Sequence, residues 1–403
     1  MLAPAAARGR ILAQLSDVAP LAAERVPLRA AVGRALAEDL RADGPVPSFA
    51  ASTMDGYALR TADAPRPGAR LPVAFEVFAG PAVVPALPPG ACCRIFTGAA
   101  LPAGADAVEM QEEVRRAGKS AVFARAAVAG RFVRAAGSDL EAGAVALPRG
   151  AVVDAGVVGL AAGLRRTELA VWRRPRVAIL PTGDEVVPAG RPIAPGQIPE
   201  SNGPALVAAV LEAGGEPLLL PIAGDSPEAV RAALAAAEGA DALVTTGGVS
   251  VGARDVVRGA LAAAGARLDF WRVAMRPGKP FTFGRWGRTA VFGLPGNPAS
   301  ALVTFELFVR PALRALAGLP GDGRVLVTGR LDVPQEKPAE LTVYLRARAH
   351  REGSELVLEP LRTQLSGHLT SVAGHDALAV LPAGPTRLRR GARVEAILLR
   401  PPR

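Results

Sequence analysis

The chain has 403 residues, of which 50% are hydrophobic and 21% charged, and it carries a net charge of +10. That length exceeds what one hydrophobic core usually serves and predicts roughly two to four domains. The longest apolar stretches, such as 151–164, are too short or are broken by Asp154, so none supplies the roughly 20 residues of a membrane span, and a cytoplasmic protein with no membrane contact is expected.

Residues 1–40 read as two helices. Ile11, Leu12 and Leu15 sit at helical spacing, and a second stripe follows at Leu28, Val32, Ala35 and Leu36. Residues 43–58 form a Pro/Gly/Ser segment, and from about 70 to 149 short β-like runs (73–78, 94–97, 121–124, 145–147) alternate with turns, as in a small β module. Cys92 and Cys93 fall within it. Adjacent cysteines close a disulfide only with strain, and two thiols without a nearby histidine make a poor zinc site, so both are read as structural. Asp154 caps a helix through Leu164, and 169–172 is a strand.

From Arg176 the pattern alternates. Apolar strands at 177–180, 218–222, 242–245 and 290–292 are interleaved with helices at 201–211, from Ser226 onward, at 256–264 and at 299–310, with 268–273 extended. Such alternation specifies a mostly parallel sheet buried on both faces. After a Pro/Gly breakpoint at 318–324, strands at 325–331, 342–347, 356–359, 377–381 and 393–399 predict a separate β domain, either barrel or sandwich.

The basic residues are almost all arginine, since only Lys119, Lys279 and Lys337 are lysine, and they are dispersed among acids. With aromatics at 4%, a stacking groove for nucleic acid is disfavoured. A small anionic substrate fits the charge, as does a plain Arg- and Ala-rich composition. His350, His368 and His375 are scattered and form no metal motif.

Each strand of the α/β region ends in a Gly- and hydroxyl-bearing loop at its carboxyl edge, where open α/β sheets bind ligands. The 246–250 loop offers backbone N–H groups and the hydroxyls of Thr246 and Ser250 to phosphate oxygens, although glycine pairs also serve ordinary turns. Asp184, Glu185, Asp225 and Asp255 are expected on the same rim, where carboxylates beside phosphate suit Mg2+. Singly, Asp184 also reads as an Asx-turn and Asp225 as a turn residue. Arg276-Pro277-Gly278-Lys279-Pro280 presents two cations on a stiff loop, one of them a rare lysine. Asp55-Gly56 alone reads as a tight turn. A Walker loop, a CxxC pair and a Ser/His/Asp set are all missing from the sequence.

Taken in order, the motifs resemble those of the molybdopterin molybdenumtransferases, the molybdenum insertase family that includes bacterial MoeA and the E domain of gephyrin. The markers are Ser52-Thr53-Met54-Asp55-Gly56-Tyr57-Ala58, Arg94-Ile95-Phe96-Thr97-Gly98-Ala99, Pro181-Thr182-Gly183-Asp184-Glu185, Ser201-Asn202-Gly203, Thr246-Gly247-Gly248-Val249-Ser250, Pro277-Gly278-Lys279-Pro280 and Gly293-Leu294-Pro295-Gly296-Asn297-Pro298. The resemblance runs over essentially the whole chain.

The resemblance implies a multidomain α/β plus β protein. Its parts would be an N-terminal helical and linker domain (1–53 with 141–172), an inserted β-rich module (54–140), a central three-layer α/β molybdopterin-binding-like domain (173–320) and a C-terminal β-barrel-like domain (321–403). It implies a homodimer with its cleft between protomers, and a reaction in which molybdate and adenylylated molybdopterin (molybdopterin-AMP) give molybdenum cofactor and AMP, assisted by Mg2+. Asp55, Thr97, Glu185, Asp225 and Asp255 would be catalytic, with Glu185, Asp225 and Asp255 as metal ligands. Thr182, Gly183, Asp184, Ser201, Asn202, Thr246, Gly247, Gly248, Ser250, Pro295, Asn297 and Pro298 would bind the pterin nucleotide. Arg276, Lys279, Ser300, Arg346 and Ser371 would meet molybdate. A molybdopterin adenylyltransferase is a further expected partner.

Three positions depart from the family pattern: Arg276 stands for the usual lysine, Thr53 for a smaller residue, and Pro199-Glu200 for an aromatic and Asn or Asp. A non-catalytic scaffold of the same fold and a pterin adenylyltransferase are the competing readings. Retention of the acidic motif residues opposes the first, and the extra β domains oppose the second.

Overall fold

The computed structural model describes residues 1–81, 83–248, 256–270 and 272–402. The chain divides into two compact units, one of Met1–Ala37, Gly150–Val158 and Glu168–Arg403, the other of Glu38–Arg149 and Gly159–Thr167.

The larger unit is built on a sheet of six strands among the described residues: β1 (Arg176–Pro181), β2 (Glu216–Leu219), β3 (Ala242–Thr246), β4 (Arg267–Phe270), β5 (Thr282–Trp286) and β6 (Thr289–Leu294). Their spatial order is β2-β1-β3-β6-β5-β4. The first four in that order are parallel, and β5 and β4 close the far edge antiparallel. Alternate residues of the apolar strands enter different cores. Val177, Ile179, Val244 and Phe292 pack with helices α1 (Pro4–Leu15), α2 (Asn202–Glu212), α5 (Pro298–Thr304) and α6 (Arg310–Leu316). Ala178, Leu180, Leu243 and Val291 pack with α3 (Pro227–Ala236) and α4 (Val256–Ala263). Burial on both faces is why these strands lack polar alternation.

Four expectations are corrected. The second N-terminal helix shrinks to Leu28–Ala31, because Ala23–Pro27 pairs antiparallel with Glu168–Trp172 and the segment after it follows that ladder, Ala35 accepting from the Trp172 amide. The strand expected at 218–222 begins at Glu216, where pairing with Arg176 starts, and it tolerates Pro217 because β2 is an edge strand. Strand β5 was not foreseen. It pairs in regular register with β6, the extra residue of its irregular pairing with β4 lying on β4 between Leu268 and Phe270, and with its first three residues all buried it shows no polar alternation in sequence. The helix expected at 299–310 is longer: α5 continues through a π-helical turn, Phe305–Val309, into α6.

The C-terminal strands β7 (Val325–Leu331), β8 (Thr342–Glu352), β9 (Glu355–Pro360), β10 (Ala377–Leu381) and β11 (Arg393–Leu398) pair in a ring, β8-β9-β7-β11-β10 and back to β8. That closure makes the domain a barrel rather than a sandwich.

In the smaller unit a six-stranded sheet runs in the order Ala107–Met110, Gly56–Leu59, Cys92–Ile95, Arg70–Val77, Ser120–Phe123, Val114–Ala117. Cys92 and Cys93 are consecutive strand residues, so their side chains enter opposite cores. Both are fully buried, and burial pushes each thiol up to about 12.

Candidate functional site

The carboxyl ends of β1, β3 and β6 meet around a cleft of about 630 Å³. The Thr182 amide donates to the Thr246 carbonyl at 3.0 Å, and Gly183 donates to Ala223 at 3.1 Å, so the loops after β1, β2 and β3 are laced together. Gly247 is needed for closeness. Its φ is +93°, and a Cβ there would stand 2.7 Å from the Thr182 carbonyl oxygen. Asn202 Nδ2 donates to Thr246 Oγ1 at 2.8 Å and to the Gly296 carbonyl at 2.7 Å, tying the start of α2 to the loops after β3 and β6.

Thr182, Gly183, Glu185, Ser201, Asn202, Asp225, Thr246, Gly247, Gly248, Pro295, Asn297 and Pro298 all line this cleft. Asp184 acts one step back, its Oδ1 accepting from the Asp225 amide at 2.9 Å and so fixing the Asp225 loop. Ser250 and Asp255 lie outside the described residues.

Glu200 is a cleft residue that sequence reasoning passed over. Ser201 makes no side-chain cap to α2; Glu200 caps instead, its Oε1 accepting from the Gly203 amide at 2.7 Å. The carboxylate is 8% exposed and lines the cleft. It occupies the positive end of α2, which favours a negative charge. Its only sequence signal was the departure at Pro199-Glu200.

Glu185 and Asp225 have no cationic partner among the described residues, and no group of three or more potential metal ligands occurs there. Two carboxylates with hard oxygens nevertheless suit Mg2+, which is commonly held by one or two carboxylates plus substrate phosphate.

The C-terminal barrel also contributes to the cleft. Asn297 Nδ2 donates to Ser366 Oγ at 3.1 Å, and the Ala299 amide, in the first turn of α5, donates to the Ser366 carbonyl at 3.0 Å. The following Gly367 and Leu369 line the cleft wall. No local sequence pattern marks these residues, since only folding brings them to α5.

The basic set is less gathered. Arg276 and Lys279 are exposed on their loop, whereas the adjoining Pro280 reaches the cleft. Ser300 is buried within α5, its carbonyl accepting from Thr304 Oγ1 at 2.8 Å. Arg346 and Ser371 meet at one acceptor, the Leu365 carbonyl, at 3.4 and 3.3 Å. Arg346 is 1% exposed, and burial lowers its pKa to about 10. Its Nε and Nη1 have no hydrogen-bond partner among the described residues. Arg346 faces a second cavity, of about 500 Å³, beside α5.

In the smaller unit, Asp55 precedes the strand Gly56–Leu59, and Thr97 follows the neighbouring Cys92–Ile95. Asp55 Oδ1 accepts from the Thr97 amide at 2.8 Å and from Thr97 Oγ1 at 2.7 Å. The amide bond first, and then the hydroxyl, hold the Asp55 pKa below its ordinary value. Gly56 pairs with both Ile95 and Met110, and a Cβ on it would collide with the Glu109 carbonyl. The glycine of Asp55-Gly56 thus permits close strand packing, a role beyond the tight turn.

Comparison with known proteins identifies the family. Residues 2–164 match the pattern described as MoeA N-terminal region (domain I and II), 178–315 the probable molybdopterin binding domain, and 328–399 the MoeA C-terminal region (domain IV). A protein of Nostoc sp. named molybdopterin molybdenumtransferase is 38% identical over 389 residues, covering 93% of this chain and 88% of that protein. Molybdopterin molybdenumtransferase 2 of Mycobacterium tuberculosis is 38% identical over 381 residues, covering 92% and 93%. The crystal structure of the molybdopterin biosynthesis MoeA protein from Pyrococcus horikosii superposes with a TM-score of 0.85 at 31% identity, covering 97% of this chain and 98% of that one. On these grounds the chain belongs to the molybdopterin molybdenumtransferase family.

Proposed function

We propose that the chain transfers molybdenum from molybdate into adenylylated molybdopterin, with hydrolysis of the adenylate to give molybdenum cofactor and AMP. The observation that carries this reading is the convergence of the loops after β1, β2, β3 and β6, with the barrel residues Gly367 and Leu369, on one cleft. The names of the full-length relatives supply the class of reaction.

In this reading the backbone N–H of Gly248 and the hydroxyl of Thr246, which gives up its 3.5 Å bond to the Pro295 carbonyl, receive phosphate oxygens, while the Gly247 N–H already donates to the Leu294 carbonyl at 3.2 Å. Asn202 keeps the Thr246 hydroxyl in place, and Glu200 directs phosphate away from the α2 amide it already occupies. Glu185 and Asp225 would hold Mg2+, with Asp255, outside the described residues, as the third expected ligand. When bound, Mg2+ neutralises charge on the phosphoanhydride oxygens. Asp55, kept ionised by Thr97, uses its other carboxylate oxygen to orient the attacking water, whose oxygen bonds to the pterin-side phosphorus as that phosphorus–oxygen bond to AMP breaks, the water proton passing to solvent. Arg346 receives molybdate by charge-assisted hydrogen bonds, with Arg276, Lys279, Ser300 and Ser371 as the further candidate contacts outside its cavity.

The same reading takes residues 173–320 as a three-layer molybdopterin-binding-like domain and 321–403 as the barrel domain. Residues 1–53 with 141–172 are the N-terminal domain, and 54–140 its inserted module. The protein acts as a cytoplasmic homodimer, supplied by a molybdopterin adenylyltransferase. Among the described residues no helix is long and apolar enough to cross a membrane.

The test is AMP release from adenylylated molybdopterin by the purified protein with molybdate and Mg2+. Release that depends on both supports the reading. No release overturns it, and formation of AMP–pterin from ATP would assign the protein to adenylyl transfer instead.

A further inference from the structure

The second cavity lies beside α5, walled by α2, the π-helical turn, the linker before the barrel and the barrel itself. Its charged lining is Glu212, Glu306, Arg324, Arg346, His375 and Arg400. Arg324 is neutralised in place, bonded to Glu306 at 2.9 Å and to Glu212 at 3.3 Å. Arg346 is different: among the described residues it has no carboxylate partner, and its Nε and Nη1 are buried without an acceptor there. His375 Nδ1 is likewise buried and unpartnered. Three nitrogens with unmet hydrogen-bonding capacity therefore belong to two side chains on one cavity. Buried polar groups left in this state are costly, and a ligand that satisfies them removes the cost.

We propose that His375 is a specificity-determining residue of an oxyanion site at Arg346, donating from its imidazole to the bound anion and taking up one proton as a tetrahedral dianion enters. This rests on the reading that Arg346 receives the oxyanion substrate. The proton balance is simple: the imidazole gains one proton from solvent, the anion keeps its charge, and the pair Arg346–imidazolium carries two positive charges against two negative ones.

The surroundings of His375 set the direction of the switch. In the free protein, burial first, and then the charges of Arg346 on β8 and Arg400 beyond β11, lower its pKa to about 4, against the opposite pull of Asp376 beside it and Glu306 on the π-helical turn. Arg324 of the linker and Glu212 of α2 complete the wall and offset each other. The imidazole is thus neutral near pH 7 in the free protein. A dianion in the cavity reverses the sign of the local field, raising the imidazole pKa. Between the free and bound pKa values, affinity falls about tenfold for each unit of pH increase, and about one proton is taken up per anion. A singly charged tetrahedral anion needs no such uptake, so the device favours dianions.

The experiment is calorimetric titration of the full chain with molybdate from pH 5.5 to 8, in buffers of different ionisation enthalpy, with perrhenate as the singly charged comparator. The wild type is expected to take up a proton with molybdate and essentially none with perrhenate. His375→Asn, which keeps a donor but cannot titrate, is expected to bind with a flat pH profile and no uptake. Arg346→Met should lose binding of both anions, and circular dichroism and thermal melts verify that each variant folds. Binding without uptake, or uptake that persists in His375→Asn, overturns the role of His375 while leaving the oxyanion reading of Arg346 intact. Molybdate binding that survives in Arg346→Met, or that is absent from the wild type, overturns that reading and this inference together.

Discussion

At the scale of single residues, the cleft depends on how closely backbones can approach. Gly247 combines a φ of +93° with a Cβ position 2.7 Å from the Thr182 oxygen. Gly247→Ala should therefore cost about 1–3 kcal/mol of stability, read as a lower denaturation midpoint, and should weaken binding of the pterin nucleotide by moving the loop. The carboxylates act by charge instead. Glu185→Ala should abolish Mg2+-dependent AMP release with little change in melting temperature, because its side chain is exposed. Unchanged turnover in that variant would remove Glu185 from the metal site. The cysteines give a different outcome. With both thiols buried and pushed up to about 12, thiolate is scarce even at pH 9. A thiol reagent should label neither in the native protein and both in denaturant.

At the scale of elements, the π-helical turn is held by a buried ionic cluster. Glu306 accepts from Arg310 Nε at 2.7 Å and from Arg324 Nε at 2.9 Å, and Arg324 Nη1 also donates to the Leu399 carbonyl at 3.0 Å. The cluster joins the α/β sheet's helices to the barrel. Burial pushes the Glu306 pKa up, but the bonds and charges of Arg324 and Arg310 outweigh it and hold the pKa below its ordinary 4.5. A depressed folded pKa contributes stability that is fully present above pH 4.5 and is lost as pH falls through the folded value. Thermal melts from pH 7 to 3 should show that loss in the wild type and a smaller one in Glu306→Gln. Removing the charge leaves Arg310, itself 2% exposed, without its main partner, and Glu306→Ala should cost about 3–5 kcal/mol.

Elements also show what could be read from sequence. β1, β3 and β6 were legible because strands buried on both faces are continuous apolar runs, and α3 because Ser226 accepts from the Ala229 amide at 3.1 Å, as its N-cap pattern required. β5 was hidden because its short buried run carries no polar alternation, and the false second helix arose because the spacing of Leu28, Val32 and Leu36 is shared by a short helical turn and a ladder. Within the site, motif residues on the β1, β3 and β6 loops were legible one by one. Glu200 as a cap and Gly367 as a cleft wall were not, because each role depends on a partner distant in sequence or on a cap type that favours Ser, Asn or Asp.

At the scale of the whole molecule, the proposed chemistry draws on residues of both compact units. Asp55 and Thr97 belong to one, Glu185 and Asp225 to the other. If the working cleft is made between protomers of a homodimer, two inactive chains should restore one another. In a dimer of an Asp55→Ala chain with a Glu185→Ala chain, one of the two clefts carries both substitutions and the other carries neither. Random pairing of equal amounts makes about half of all dimers mixed, each with one intact cleft, so AMP release should return to about a quarter of the wild-type level. Each variant alone should remain inactive. A site confined to one protomer predicts no recovery at any mixing ratio, because every chain then carries a defect in its own cleft. Co-expression with two affinity tags, followed by purification of the mixed species, sharpens the comparison: the isolated heterodimer should reach about half of wild-type turnover. Recovery near zero in that species would place Asp55 and Glu185 in the same protomer's cleft, and would leave the proposed homodimer without a catalytic reason.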